Sequence, residues 1–170
     1  KIDNQNFEIT TLRKDVKTDG RHAEIEYTEN WQEDSNRRDF TFNAIYLDIN
    51  GKIFDPQSGV LDLKNRIVKF IGDPNKRIEE DFLRILRFLR FSIYYSKKFY
   101  MKDLKICEKL KKKILSLSFE RRINELKKII VLTNFESSFI QKKINEFLEL
   151  SLASKFDFNG FIPLCRLERE

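Results

Sequence analysis

The chain has 170 residues, of which 41% are hydrophobic and 35% charged, and this mixture is typical of a folded protein with a charged surface. The formal net charge of +6 favours polyanionic partners, because Lys and Arg displace the counterions of phosphates. Neither a membrane-spanning helix nor a multi-histidine metal site is expected, since no apolar run reaches roughly 20 residues and His22 is the single histidine.

Residues 1–72 are predicted to form strands and loops. Apolar and polar residues alternate along residues 7–12 and 23–27, which is the period of a half-buried strand. Residues 44–49 and 52–55 form a further candidate pair, and the Asn50-Gly51 step between them predicts a tight hairpin.

Beyond Asp73 the apolar period becomes helical, and Pro74 suits the first turn of a helix. Further helices are predicted over residues 102–113, 119–132 and 135–152. The chain is therefore predicted to be α+β, with a β-rich unit followed by an all-helical unit and the change near residue 73. The apolar face of the first helix comprises Ile78, Phe82, Leu83, Ile85, Leu86, Leu89 and Ile93.

Four motifs follow one another at fixed places in the chain. Residues 37–44 have the sequence RRDFTFNA, residues 55–59 have DPQSG, residues 80–87 have EDFLRILR, and residues 118–121 have SFER. In this order they resemble the class II tRNA nucleotidyltransferases, the family of CCA-adding enzymes and bacterial poly(A) polymerases. The resemblance covers roughly residues 5–132, and such collinearity is far more specific than one motif.

The resemblance implies a division of the chain into three parts. Residues 1–72 would be the C-terminal part of a polymerase-β-like nucleotidyltransferase head, residues 73–133 a helical neck that selects the nucleotide, and residues 134–170 the start of a tRNA-binding helical body. The family's main catalytic carboxylates, a D-x-D pair after a glycine-rich element, have no match in this sequence. Since the chain also begins at Lys1, we expect an excerpt of a longer protein, inactive alone and completed by a complementary N-terminal chain.

The resemblance also implies Mg²⁺ as the cofactor, with Glu8 as the third acidic ligand beside the D-x-D pair. Without the resemblance, Glu8 would be an exposed strand residue.

The first arginine-rich motif offers groups that suit a nucleotide. The resemblance assigns Arg38, Asp39 and Asn43 to nucleotide binding, with a cation for phosphate and an acceptor for a ribose hydroxyl. The alternatives are an Arg38-Asp39 surface pair and a turn that Thr41 and Asn43 order by hydrogen bonds to the backbone.

The second arginine-rich motif places Asp81, Arg84, Arg87 and Arg90 at intervals of three residues along a predicted helix. The resemblance implies that Asp81 and Arg84 recognise the edge of cytosine or adenine, and that Arg87 and Arg90 point toward the triphosphate. The alternative is a salt bridge between Asp81 and Arg84 on a solvated face. Supporting roles in the neck fall to Glu80, Glu120 and Arg121.

The function implied is a metal-dependent transferase that adds CCA, or part of it, to the 3′ end of tRNA from CTP and ATP. Two alternatives stay open, namely a bacterial poly(A) polymerase and a catalytically inactive remnant that binds nucleotide or RNA. A cytoplasmic setting is expected, because the start of the chain has no signal-peptide pattern.

Overall fold

The computed structural model describes residues 9–19, 22–96, 98–130 and 138–152. The predicted α+β class is confirmed, with small antiparallel strand pairs followed by helices. The strands are β1 (Arg13–Asp19), β2 (His22–Tyr27), β3 (Tyr46–Leu47) and β4 (Ile53–Phe54). The helices are α1 (Trp31–Arg37), α2 (Gly59–Lys64), α3 (Pro74–Glu80), α4 (Leu83–Tyr95), α5 (Met101–Leu110), α6 (Phe119–Ile130) and α7 (Ser138–Leu152).

The first strand pair forms later in the chain than predicted. β1 pairs with β2 in antiparallel register, with Arg13 opposite Tyr27 and Asp19 opposite His22. Residues 9–12 have no regular secondary structure, so the predicted strand over residues 7–12 is wrong for the part that is described. Strand pairing depends on a partner at the right distance, and the short connection between β1 and β2 selects residues 13–19 instead.

The predicted hairpin is confirmed in a shorter form. β3 pairs with β4, with Tyr46 opposite Phe54 and Leu47 opposite Ile53. The connecting loop spans residues 48–52 rather than Asn50-Gly51 alone, because the Asp48 carboxylate accepts hydrogen bonds from the backbone N–H groups of Asn50 and Lys52. Alternation in residues 44–49 therefore overstated the strand length.

Two helices lie in the part that was predicted to contain only strands and loops. α1 begins after Asn30, whose side chain accepts from the N–H of Gln32 as a helix cap. α2 begins after a turn in which the Asp55 carboxylate accepts from the N–H groups of Gly59 and Val60. Both helices are shorter than two full turns, and so short an apolar period is hard to distinguish from that of a loop.

The predicted first neck helix is broken in two. α3 has Asp73 as its N-cap and Pro74 in its first turn, as predicted, but it ends at Glu80. Asp81 has an extended backbone, with φ −158° and ψ 109°, and its carboxylate accepts from the N–H of Leu83. The break is not visible in the sequence, because Ile78 and the buried residues of α4 face the same core and keep the apolar period continuous.

α4 is the central element of the core. Five of its apolar side chains are buried, and they form one continuous cluster with residues from Phe40 to Leu148. Phe40 and Phe70 form an isolated antiparallel bridge, and their rings pack against Phe88 of α4. The segment 38–43 is thus held directly beside α4. The buried side chains of α4 in this cluster are Ile85, Leu86, Phe88, Leu89 and Ile93.

The later helices agree with the predictions to within a few residues. α5 ends at Leu110 and continues as a 3-10 helix, Lys111–Ser116, where the sequence predicted one helix to residue 113. α6 and α7 lie within the predicted ranges 119–132 and 135–152. At the start of α6 the N–H of Arg122 donates to the carbonyl of Ser118, as expected if Ser118 is the N-cap.

Asp103 of α5 generates a prediction about pH. Its side chain is buried and accepts from the N–H of Phe70 at 2.8 Å, and burial raises its pKa from 3.8 to about 6. Because the unfolded carboxyl ionises at the lower pKa, the free energy of unfolding falls as the pH rises through the interval between these values. Asp103→Asn should therefore stabilise the chain at pH 8, by up to about 3 kcal/mol, and give no gain at pH 3.

Chemical unfolding at both pH values measures this effect. Glu149→Gln, which removes an exposed carboxylate, is the matched control and should change neither value. An equal effect of Asp103→Asn at pH 3 and pH 8 would contradict the assignment.

Candidate functional site

A cleft of about 430 Å³ lies between the segment 37–43 and the first three turns of α4. This volume is within the roughly 300–1,000 Å³ of small-molecule sites. Four guanidinium groups and one carboxylate line the cleft, so its electrostatic potential favours an anionic ligand. The lining residues are Arg37, Arg38, Asp39, Asn43, Arg84, Arg87 and Phe91.

Asp39 joins the two sides of this cleft. One carboxylate oxygen accepts from the N–H of Phe40 and from the amide of Asn43, and the other accepts from Nε of Arg87 at 2.6 Å. The alternative of an Arg38-Asp39 surface pair is wrong, because Asp39 is only 9% exposed and its cationic partner is Arg87. Within the described residues, the terminal nitrogens of Arg87 have no hydrogen-bond partner and remain available to a ligand.

The turn around residue 41 is also held differently from the prediction. Thr41 donates its hydroxyl to the carboxylate of Asp62 at 2.7 Å, and Asn43 donates to Asp39 at 2.7 Å. Both are contacts between side chains rather than the side-chain to backbone bonds that were considered. They fix the 3-10 helix Thr41–Ala44 against α2 and against the cleft.

Asp34 is a site residue that the sequence analysis missed. It is fully buried, and its two oxygens accept hydrogen bonds from Arg37, Arg38, the hydroxyl of Tyr46 and the N–H of Arg13. Burial opposes ionisation of Asp34, but these donors together lower its pKa to about 2. The available signal was the spacing, since Asp34 precedes Arg37 and Arg38 by three and four residues, which are neighbours on a helix.

Arg84 is held by Glu80, the last residue of α3 before the break between α3 and α4. It pairs with Glu80, and its Nη1 also donates to the carbonyl of Arg77 at 2.7 Å. Arg77 pairs with the same Glu80 carboxylate at 3.0 Å and donates to the carbonyl of Arg38 at 3.2 Å. The supporting role predicted for Glu80 thus has a geometric counterpart, and Arg77 is a second link that the sequence analysis missed.

Asp81 does not share one helix with Arg84, Arg87 and Arg90, as was predicted. It lies before α4 rather than on it, and its carboxylate pairs with Arg121 of α6 at 2.8 Å. The alternative of a salt bridge between Asp81 and Arg84 is also wrong, because Glu80 takes that place. Asp81 is not among the lining residues of the cleft, whereas Arg84 is.

Arg90 and Glu120 lie away from the cleft lining. Arg90 pairs with the buried Glu125 at 2.8 Å, and its guanidinium lies 4.0 Å from the ring centre of Phe91. Burial opposes ionisation of Glu125, but Lys128 and Arg90 lower its pKa. Glu120 is exposed at the start of α6. The structure therefore brings Arg38, Asp39, Asn43, Arg84 and Arg87 together. Arg90 instead links α4 to α6 through Glu125.

The described residues do not form a metal site. No group of three or more Asp, Glu, His or Cys side chains within this part of the chain comes together as a metal ion requires. Glu8, the predicted metal ligand, lies outside the described residues. No helix in the same part of the chain has the length and apolarity to cross a membrane.

Comparison with known proteins identifies the family. Residues 1–69 match the family model of the poly A polymerase head domain. The human mitochondrial CCA tRNA nucleotidyltransferase 1 is 47% identical over 134 residues, which cover 77% of this chain and 31% of that protein. The CCA-adding enzyme of Staphylococcus epidermidis is 38% identical over 138 residues, covering 80% of this chain and 34% of that enzyme.

A solved structure has the same fold. The CCA-adding enzyme of Bacillus stearothermophilus in complex with CTP superposes with a TM-score of 0.66 at 25% identity, over 91% of this chain and 34% of that one. Fold and matches together make the chain similar to tRNA nucleotidyltransferases. The chain belongs to the family of CCA-adding enzymes and poly(A) polymerases. It spans between 21% and 40% of the length of the curated relatives that it matches.

The Asp39-Arg87 pair generates a prediction about stability. The two side chains are 10% and 31% exposed, so their charge-assisted bond is shielded from water. A double-mutant cycle with Asp39→Asn and Arg87→Gln should give a coupling of about 1.5–3 kcal/mol in the free energy of unfolding. The exposed pair Lys14-Glu26 is the control and should give a much smaller coupling. Equal couplings for the two pairs would contradict the prediction.

Proposed function

We propose that this chain supplies the nucleotide-binding part of a CCA-adding tRNA nucleotidyltransferase, which extends the 3′ end of tRNA with CTP and ATP. The observation that carries the proposal is the cleft that four guanidinium groups line together with the Asp39 carboxylate. A triphosphate is the ligand that best fits such a charge distribution. The similarity to a CCA-adding enzyme that was solved with CTP supports the same ligand.

The proposed roles follow from the atoms that remain available. Asp39 has three donors on two oxygens, so the oxygen that Arg87 contacts retains a lone pair for a ribose hydroxyl. The terminal nitrogens of Arg87, together with Arg38, would bind phosphate oxygens. Asn43 would keep Asp39 in place, and Arg84 with Asp81 would recognise the base edge.

The proposed base-reading pair already has partners within the protein. Asp81 is bound by Arg121 and Arg84 is bound by Glu80, so each charge already has a partner. These partners hold the two side chains while the nucleotide supplies only additional hydrogen bonds. Glu80 and Arg121 thus keep the supporting roles that the resemblance implies for them, and Glu120 keeps its role as a prediction from the motif alone.

The proposed reaction is attack of the tRNA 3′ hydroxyl on the α-phosphate with release of pyrophosphate. Mg²⁺ is proposed as the cofactor on the grounds of the family, and Glu8 is the residue of this chain that the resemblance assigns to it. The described residues do not fit a metal site, so no step is derived through the ion. A complementary N-terminal chain carrying the D-x-D pair is part of the proposal.

The proposed domains are the head at residues 1–72, the neck at residues 73–133 and the start of the body at residues 134–170. One core cluster runs from Phe40 to Leu148, so these parts pack on a common hydrophobic centre. A cytoplasmic setting stays a prediction, since the human relative carries the word mitochondrial in its name.

The test of this proposal is incorporation of labelled CTP and ATP onto tRNA that lacks its 3′ end. We expect no incorporation by the chain alone, and incorporation of both nucleotides once an upstream segment with the D-x-D pair is added. Incorporation of ATP alone would indicate an A-adding or poly(A) activity. If the chain and the upstream segment are folded but incorporate nothing, the inactive remnant that only binds nucleotide or RNA is favoured. Activity of the chain alone would contradict the proposal that its metal site is incomplete.

A second test concerns nucleotide binding by the chain itself. Arg84→Ala and Arg87→Ala should each weaken CTP binding by about 10- to 100-fold, the factor expected for one or two charge-assisted hydrogen bonds. Arg66→Ala, which removes an exposed guanidinium outside the cleft, is the matched control and should have little effect. Titration calorimetry measures all three affinities, and an equal loss in the control would indicate a general charge effect instead.

A further inference from the structure

We propose that Asp34 is a positioning residue that sets the orientation of Arg37 and Arg38 for the triphosphate. This inference rests on the proposed function, because it names how that site is prepared for its ligand. Asp34 itself would not touch the nucleotide, since it is fully buried behind the two arginines.

The geometry of the two arginines supports this role. Arg38 approaches one oxygen of Asp34 with Nε at 3.0 Å and Nη2 at 2.8 Å, so one edge of its planar guanidinium is fixed. Arg37 approaches the other oxygen with Nε at 2.8 Å and also donates to the carbonyl of Arg13. A guanidinium fixed along one edge presents its remaining N–H groups in one direction, and both arginines line the cleft.

Asp34 is itself fixed from three elements. It lies on α1, the hydroxyl of Tyr46 on β3 donates to it at 2.8 Å, and the N–H of Arg13 on β1 donates at 3.2 Å. Burial raises the pKa of Tyr46 to about 12, together with its bond to Asp34, so Tyr46 stays a donor at any physiological pH. The carboxylate is therefore fixed in one position, and its hydrogen bonds fix the orientation of both guanidinium groups.

A purely structural role is a weaker explanation of the same contacts. Replacement of a buried ion pair by apolar groups is often neutral or stabilising, so stability alone does not explain a fully buried carboxylate with two arginine partners. The two arginines are only 17% and 34% exposed, which places their charged ends at the cleft wall rather than in free solvent. Orientation of these charged ends toward the cleft is the consequence of their bonds to Asp34.

The sign of one mutational effect separates positioning from simple electrostatics. Asp34→Asn removes a negative charge near the cleft, so a charge effect alone would strengthen binding of the anionic CTP. Positioning predicts the opposite, because the NH2 group that replaces one carboxylate oxygen is a donor, so the guanidinium bound to that oxygen loses its fixed direction. We expect CTP binding to weaken by about 10- to 100-fold, and binding of cytidine to change little.

Glu33→Gln is the matched control, since it makes the same charge change one residue earlier on α1, where Glu33 bonds the hydroxyl of Thr28 instead. It should leave CTP binding unchanged. Tyr46→Phe removes one donor to Asp34 without any charge change and should weaken CTP binding less than Asp34→Asn. If Asp34→Asn does not fold, Tyr46→Phe against wild type decides the matter in the same way.

A readout without nucleotide separates this inference from the proposed function. In NMR spectra of the chain, the Nε–H signals of Arg37 and Arg38 should exchange slowly with water in wild type and rapidly in Asp34→Asn. Slow exchange that is lost in the variant, with no CTP binding by either protein, would overturn the proposed function and its ligand. Equal or tighter CTP binding by Asp34→Asn, with wild type binding CTP, would overturn the positioning role alone.

Discussion

The contact between Asp39 and Arg87 determines the shape of the site. It joins residue 39 of the first arginine-rich motif to residue 87 of the second, at 2.6 Å and largely shielded from water. The aromatic packing of Phe40 against Phe88 brings the two segments close, and the ion pair then fixes which of their polar groups face each other. That contact directs polar groups of α4 and of the segment 37–43 into one cleft.

The other arginines of the cleft follow the same arrangement. Each is held by an acidic residue that is wholly or partly buried, Asp34 for Arg37 and Arg38, and Glu80 for Arg84. Such pairing limits the repulsion among like charges and fixes the direction of each guanidinium before a ligand binds. The cleft is therefore preorganised for an anion, and it achieves this without any acidic cluster that could hold a metal among the described residues.

The sequence predicted the fold class and the helices after residue 73, and its motifs contain most of the residues that line the cleft. Those features depend on hydrophobic period and on motifs of fixed spacing, which are local. It did not predict the break at Asp81 or the partners of Asp39 and Asp81, because Arg87 and Arg121 are 48 and 40 residues away in the chain. Asp34 escaped notice for a different reason: an acidic residue on a short helix looks solvated until the strands that bury it are in place.

The most direct measurement is a crystal structure of the chain with CTP. We predict the triphosphate in the cleft, with phosphate oxygens on Arg38 and Arg87, the ribose at Asp39 and the base toward Arg84. CTP bound elsewhere, with the cleft and its acid-arginine pairs unchanged, would show that this cleft is not a nucleotide site.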